Sequence, residues 1–302
     1  MFKENILRYW RSGVVEKYIC VNVAVYIIAV LIALFSGLFN IPSASVGFVK
    51  YLELPASPLL LLYRPWTLFT YMFVHTDLWH ILWNMLALYA FGRIFLNFYS
   101  VRHFVGTYML GGIIGGLVFV AAFNFFPAFK GFVDGSFLLG ASASVLAIVV
   151  ASAVRSPNFR VNLFLFGSVR LSTIVIVVVA VSVLMISGSN PGGNFAHLGG
   201  AFAGWIVAKL LNKGVDITSL VNGPIDFLSG IFKRKPVSRG RGKFHYSRTA
   251  SSAGKRADDY DYNARKKAGE AEIDRILEKI KKGGYSSLTD AEKKRLFDAS
   301  AK

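Results

Sequence analysis

Charge is scarce in this sequence. Asp, Glu, Lys and Arg make up 17% of its 302 residues, against about 25% in ordinary soluble domains. Hydrophobic residues reach 54%, and the mean hydropathy is +0.49. That balance argues strongly against a soluble globular enzyme. Cysteine is nearly missing. Cys20 stands alone inside an apolar run, so neither an internal disulfide nor a cysteine-built metal site can form. Acids are as sparse: up to residue 212 there are only Glu4, Glu16, Glu53, Asp77 and Asp134. No internal repeat is visible, which argues against a repeat-built transporter.

What the sequence has instead is long apolar chain. A helix needs about 20 apolar residues to cross a bilayer core, and such runs occur at 18–39, 78–96, 104–126, 137–154, 171–186 and 195–211. The first is too long and too far from the start for a cleaved signal peptide. The fifth is the shortest, which leaves five spans as the alternative to six. The expected fold class is therefore all-α: a polytopic membrane bundle of six transmembrane helices, followed by a largely disordered tail with two short helices.

Basic residues set the orientation. Lys3, Arg8, Arg11 and Lys17 precede the first run, Arg102 follows the second, and Arg155, Arg160 and Arg170 follow the fourth. Of the 34 Lys and Arg residues, 21 lie after Asn212. The alternate loops carry only Lys50, Arg64 and Lys130. The positive-inside rule then places both termini in the cytoplasm, which an even number of spans also requires. The loop 40–77 is long and apolar but broken by prolines, and reads as partly embedded at the outer interface. The chain thus divides into a cytoplasmic segment 1–17, a membrane domain 18–212, a basic flexible linker 213–264 and a small helical element 265–302. In the last of these, Thr289 and Glu292 have capping-box spacing. The basic tail suits anionic lipid or a protein partner; no base-stacking module accompanies it, so specific nucleic acid is not expected.

Polar groups are expensive inside apolar spans and mark the place to look for chemistry. The second, fourth and sixth runs start on the outer side, and each carries polar residues near that end. His80 and Asn84 lie one turn apart on the second. Ser142 and Ser144 open the fourth, in Gly140-Ala-Ser142-Ala-Ser144, and the sixth holds Asn194 and His197. Each has a plain structural reading: serines back-bond to helix carbonyls, and His197 or Asn84 can bridge helices. Gly200 and Gly204 form a close-packing seam whatever the function. Taken together at one depth they fit nucleophilic catalysis, with Ser142 as nucleophile and His197 as its general base. His80 and Asn84 are donors of the kind an oxyanion hole uses. No acid lies between Ser142 and His197 and only Asp77 comes near, so the pattern favours a Ser–His dyad over a triad. Nothing calls for a cofactor or a metal.

The stretches His75-Thr-Asp-Leu-Trp-His80-Ile-Leu-Trp-Asn84-Met85, Gly140-Ala-Ser142-Ala and Ala196-His197-Leu-Gly-Gly200, with Gly204 beyond, occur in that order. Over about residues 15–212 the chain resembles the rhomboid intramembrane serine proteases, in particular bacterial six-helix members with a basic cytoplasmic extension. The resemblance implies Ser142 as nucleophile, His197 as base, and His80, Asn84 and the Ser142 N–H around the oxyanion. Gly200 and Gly204 are implied in packing the sixth helix on the fourth. The substrates implied are transmembrane segments of other proteins, cut near the outer face of a bacterial inner membrane. Leu146 departs from the pattern, standing where many members carry a tyrosine against the histidine. A rhomboid-like pseudoprotease, which holds client helices without cutting them, is the alternative; such members usually lack the serine or the histidine.

Overall fold

The computed structural model describes residues 13–163, 167–188 and 190–224, with short pieces between 275 and 293. The chain divides into two units, 1–235 and 236–302. Among its described residues the first is mostly helical, with six principal helices: α1 (Val14–Leu38), α2 (Leu78–Leu96), α3 (Val101–Phe125), α4 (Ser142–Arg155), α5 (Leu171–Leu184) and α6 (Pro191–Asn212). Helices α1 and α3, of 25 residues each, are long and apolar enough to cross a membrane; α4 and α5 are apolar but have 14 residues, about 21 Å of helix.

Three of the six helices, α2, α3 and α6, begin at a side-chain cap. Asp77 accepts from the His80 N–H at 2.7 Å to start α2, and Ser100 accepts from the His103 N–H at 3.2 Å to start α3. Asn190 does the same for Gly193 at 2.9 Å, with Pro191 in the first turn of α6, where a missing N–H costs nothing.

Burial runs opposite to that of a water-soluble protein. On α1 the buried residues are Val15, Asn22, Ala29 and Ser36, seven apart, while Ile28, Leu31, Leu34 and Phe35 are exposed. On α5 only Leu171 and Ser182 are buried, and Ile176, Val177, Val181 and Val183 face outward. Small and polar groups face in and branched apolar ones face out, as helices packing in lipid do. Helix α4 is the axis of the unit, buried without interruption from Ala143 to Ala153.

Glycines bring α3, α4 and α6 together. A Cβ on Gly199 would lie 2.8 Å from the Gly115 Cα, and one on Gly204 would overlap the Ala147 carbonyl oxygen. Close backbone approach recovers dispersion energy that lipid cannot supply.

Two antiparallel ladders depart from the all-α expectation. Strand β1 (Leu54–Pro55) pairs with β2 (Phe137–Leu138), and β3 (Arg160–Leu163) pairs with β4 (Gly167–Arg170). The first shortens the expected fourth helix: the apolar run starts at 137, but the helix starts at Ser142, because Phe137 and Leu138 are in the ladder and Gly140 has φ +111°. The loop 40–77 contains three short helices, Pro42–Leu52, Pro58–Tyr63 and Thr67–Thr70, with Leu59, Leu62 and Phe69 exposed.

Beyond Asn212 the chain stays folded to residue 224. Thr218 and Asn222 are buried, and the Asn222 amide donates to the Arg102 carbonyl at 2.9 Å. The expected flexible linker 213–264 is therefore folded over 213–224, where buried side chains tie it to α3, and its remainder, 225–264, lies outside the described residues. In the second unit, Glu292 accepts from the Thr289 N–H at 2.7 Å and the Glu292 N–H meets the Thr289 hydroxyl at 3.4 Å, a reciprocal cap. Lys279 reaches the same carboxylate at 2.9 Å.

Candidate active site

Ser142 is the first residue of α4, so its N–H has no intrahelical partner and sits at the positive end of the helix dipole. Nearly two turns into the facing helix α6, His197 presents its Nε2 to the Ser142 Oγ at 2.8 Å. The seam beneath them explains the approach. A Cβ on Gly200 would overlap the carbonyl oxygen of Ala143, the residue after the serine, so glycine there lets α6 come within hydrogen-bond range of α4.

The other expected residues converge on the same place from α2. Asn84 is 8% exposed and donates its amide to the His80 carbonyl at 2.9 Å. Asn84, Ser142, Leu146 and His197 line one cavity of about 260 Å³, whose remaining walls include Trp83, Val145, Ile174 and Val178. The cavity is therefore bounded by α2, α4, α5 and α6, and its surface is mostly aliphatic or aromatic. His80 packs on the backbone just before the serine: a Cβ on Gly140 would fall 2.8 Å from the His80 Nε2. Only glycine adopts this positive φ without strain and also leaves room for the ring.

Ser144 is turned away. It is fully buried, and its Oγ meets the Met72 sulfur at 3.7 Å, as a rotation of about 200° from Ser142 requires. Asp77 does not reach His197; its carboxylate caps α2 and lies 3.8 Å from the His80 Nδ1.

Two residues that the sequence reading did not single out support the site. His75 is 1% exposed, and its Nε2 accepts a long hydrogen bond, 3.4 Å, from the Ala141 N–H. Its ring stands 4.9 Å from that of His80. Burial, reinforced by the neighbouring His80, holds the His75 pKa at about 4; the ring is neutral at neutral pH, as an acceptor must be. The second is Ser182 on α5, whose Oγ lies 3.2 Å from the His197 Nδ1. It is the one polar residue between Ile174 and Ile186, so the search for polar groups in apolar runs could have found it.

Fold and site define a class: a helical membrane-type bundle holding a serine–histidine pair on two glycine-sealed helices beside an apolar cavity. Residues 63–214 match the family model described as the Rhomboid domain, and the chain belongs to the rhomboid family, whose members are integral membrane proteins. It is 29% identical to RHOMBOID-like protein 12, mitochondrial, of Arabidopsis thaliana, over 49% of this chain and 47% of that protein. It is 26% identical to the human Presenilin-associated rhomboid-like protein, mitochondrial, over 68% and 52% of the two chains. Rhomboid protein 1, mitochondrial, of Saccharomyces cerevisiae is 27% identical over 47% and 41%. The chain spans about half the length of these curated relatives. All three names are mitochondrial, so they lend nothing to the expectation of a bacterial membrane. Residues 258–302 match a family of unknown function, DUF6576.

Proposed function

We propose that this chain is an intramembrane serine endopeptidase, cutting peptide bonds in or beside transmembrane segments of other proteins. The observation that carries the reading is the 2.8 Å pair of Ser142 Oγ and His197 Nε2 at the edge of the apolar cavity.

The chemistry follows from the positions. Nε2 takes the Ser142 proton as Oγ attacks the scissile carbonyl carbon, then passes it to the leaving amine. The oxyanion that forms lies by the Ser142 N–H at the start of α4. The Asn84 amide, with one hydrogen on the His80 carbonyl, turns the other toward it, and His80 supplies a further donor. Water then hydrolyses the acyl-enzyme with His197 again as base. The aliphatic walls favour a hydrophobic substrate segment entering between α2 and α5.

In this reading all six helices span. The short α4 fits because the non-helical stretch 137–141 that precedes it includes buried Leu138 and Ala141, and non-helical backbone is tolerated at membrane depth where protein surrounds it. Both termini then lie on one side, with the basic tail against anionic lipid or a protein partner.

The test is labelling of the purified protein with a fluorophosphonate, with Ser142→Ala as control, followed by cleavage of a transmembrane substrate panel. Labelling at Ser142 together with cleavage is expected. A folded protein that binds such helices but neither labels nor cuts would be a pseudoprotease instead.

A further inference from the structure

A dyad leaves one question of proton placement open: His197 can act as a base only if Nε2 is unprotonated at rest, so its hydrogen must sit on Nδ1. Many serine hydrolases secure this with a carboxylate, and here the Nδ1 faces Ser182 Oγ at 3.2 Å. Resting on the proteolytic reading above, we infer that Ser182 is the positioning residue of the site, a neutral third member that sets the His197 tautomer from helix α5.

The hydrogen count carries the argument. A serine hydroxyl has one hydrogen and two lone pairs. The Ser182 Oγ lies 2.9 Å from the Val178 carbonyl, one turn back, and a carbonyl only accepts. The one hydrogen therefore goes to Val178, and the Oγ lone pairs face Nδ1, which must bring its own hydrogen to make the contact. Ser182 is 2% exposed, so no bulk water stands in for either partner. The chain of donors then reads Ser142 Oγ–H to Nε2, Nδ1–H to Ser182 Oγ, and Ser182 Oγ–H to Val178 C=O. During attack the Ser142 proton moves to Nε2 and returns to the leaving group or to Ser142; the Nδ1 and Ser182 hydrogens stay where they are. The reverse arrangement would place a hydrogen on Nε2 pointing at Ser142 and remove the base.

Burial agrees with the assignment. On α5 only Leu171 and Ser182 are buried, while Ile176, Val177, Val181 and Val183 are exposed, so the one hydroxyl between Ile174 and Ile186 is turned to the interior face that meets His197.

The experiment compares Ser182→Thr, Ser182→Val and Ser182→Ala in the full chain, with wild type and Ser142→Ala alongside. Thr and Val have the same shape and differ in the hydroxyl. Val and Ala are expected to lower kcat and the fluorophosphonate labelling rate by about tenfold, the scale of one neutral hydrogen bond, with KM unchanged; Thr is expected to recover most of the rate. Nitrogen NMR of labelled His197 in the resting protein should find the hydrogen on Nδ1 in wild type and a shift toward Nε2 in Ser182→Ala. Equal rates for Val and Thr, a wild-type rate for Ala, or a hydrogen on Nε2 in wild type would overturn the assignment. Thermal melts identify a variant that fails to fold, and Ala against wild type then decides. A wild type that neither labels nor cleaves overturns the proteolytic reading itself, while the NMR result still reports whether Ser182 fixes the tautomer.

Discussion

Gly204 of α6 lies so close to Ala147 of α4 that a β-carbon at residue 204 would overlap the Ala147 carbonyl oxygen, and Gly200 stands in the same relation to Ala143 one turn earlier. The obstacle is backbone on a fully buried helix, so neither partner can swing aside. Gly200→Ala and Gly204→Ala should each destabilise the protein by about 1–3 kcal/mol, the usual cost of overpacking. Gly200→Ala should be the more damaging to activity, because Ala143 follows Ser142, the proposed nucleophile. Melting temperature and labelling rate, measured together, check both statements; a Gly200→Ala enzyme with wild-type labelling would contradict them.

Ser142→Ala and His197→Ala should each abolish cleavage while leaving a folded protein in detergent. Ser144→Ala should remain active, since its hydroxyl faces Met72 on the far side of α4. An inactive Ser144→Ala beside an active Ser142→Ala would reverse the assignment.

Asn84→Ala should lower kcat by about 10²–10³, the scale for one oxyanion donor. KM should change little, because the amide acts on charge that develops only during attack. A loss confined to KM would make Asn84 a substrate contact instead.

His75 gives the fold an acid limit. Its pKa falls from 6.5 to about 4 on burial, so the unfolded chain takes up this proton first as pH drops. The stabilisation is whole above pH 6.5 and is lost between 6.5 and about 4, on the order of 3 kcal/mol in all. Melts across that range should show a slope that His75→Gln reduces. A slope unchanged in the variant would place the acid sensitivity elsewhere.

Truncation after Pro236 should keep cleavage of a model transmembrane substrate. Every residue assigned to the chemistry precedes Asn212, and the described extension that packs on α3, residues 213–224, also precedes the cut. A well-folded but inactive truncation would make the tail part of the enzyme proper.

The candidate site was legible in the sequence because its members are polar residues stranded in apolar runs. Ser142, His197, His80 and Asn84 all stood out on that ground, and the structure brings them to one place. Ser182 obeys the same rule but was not singled out, and its partner lies 15 residues away on the next helix. The β1–β2 ladder left no trace: two residues per strand have no period to detect, and Leu54 and Leu138 are 84 positions apart. Helix starts did not coincide with the apolar runs: α6 starts behind the Asn190 cap, ahead of the run at 195, while α4 starts inside its run, after the β2 ladder and Gly140. His75 was visible only as a neighbour of His80, because a histidine's acceptor role depends on which backbone N–H the fold brings to it.

The serine's loop is fastened to a distant stretch of chain. Leu138 pairs with Leu54, the Ala56 N–H reaches the Ser136 carbonyl at 3.0 Å, the Gly140 N–H reaches the Tyr71 carbonyl at 2.9 Å, and His75 receives the Ala141 N–H. For anyone building chimaeras between relatives, residues 54–75 and 136–142 are therefore one part rather than two. Grafting the nucleophile's loop without its anchor would import a serine with nowhere to be held, whereas exchanging the pair should transplant the geometry intact.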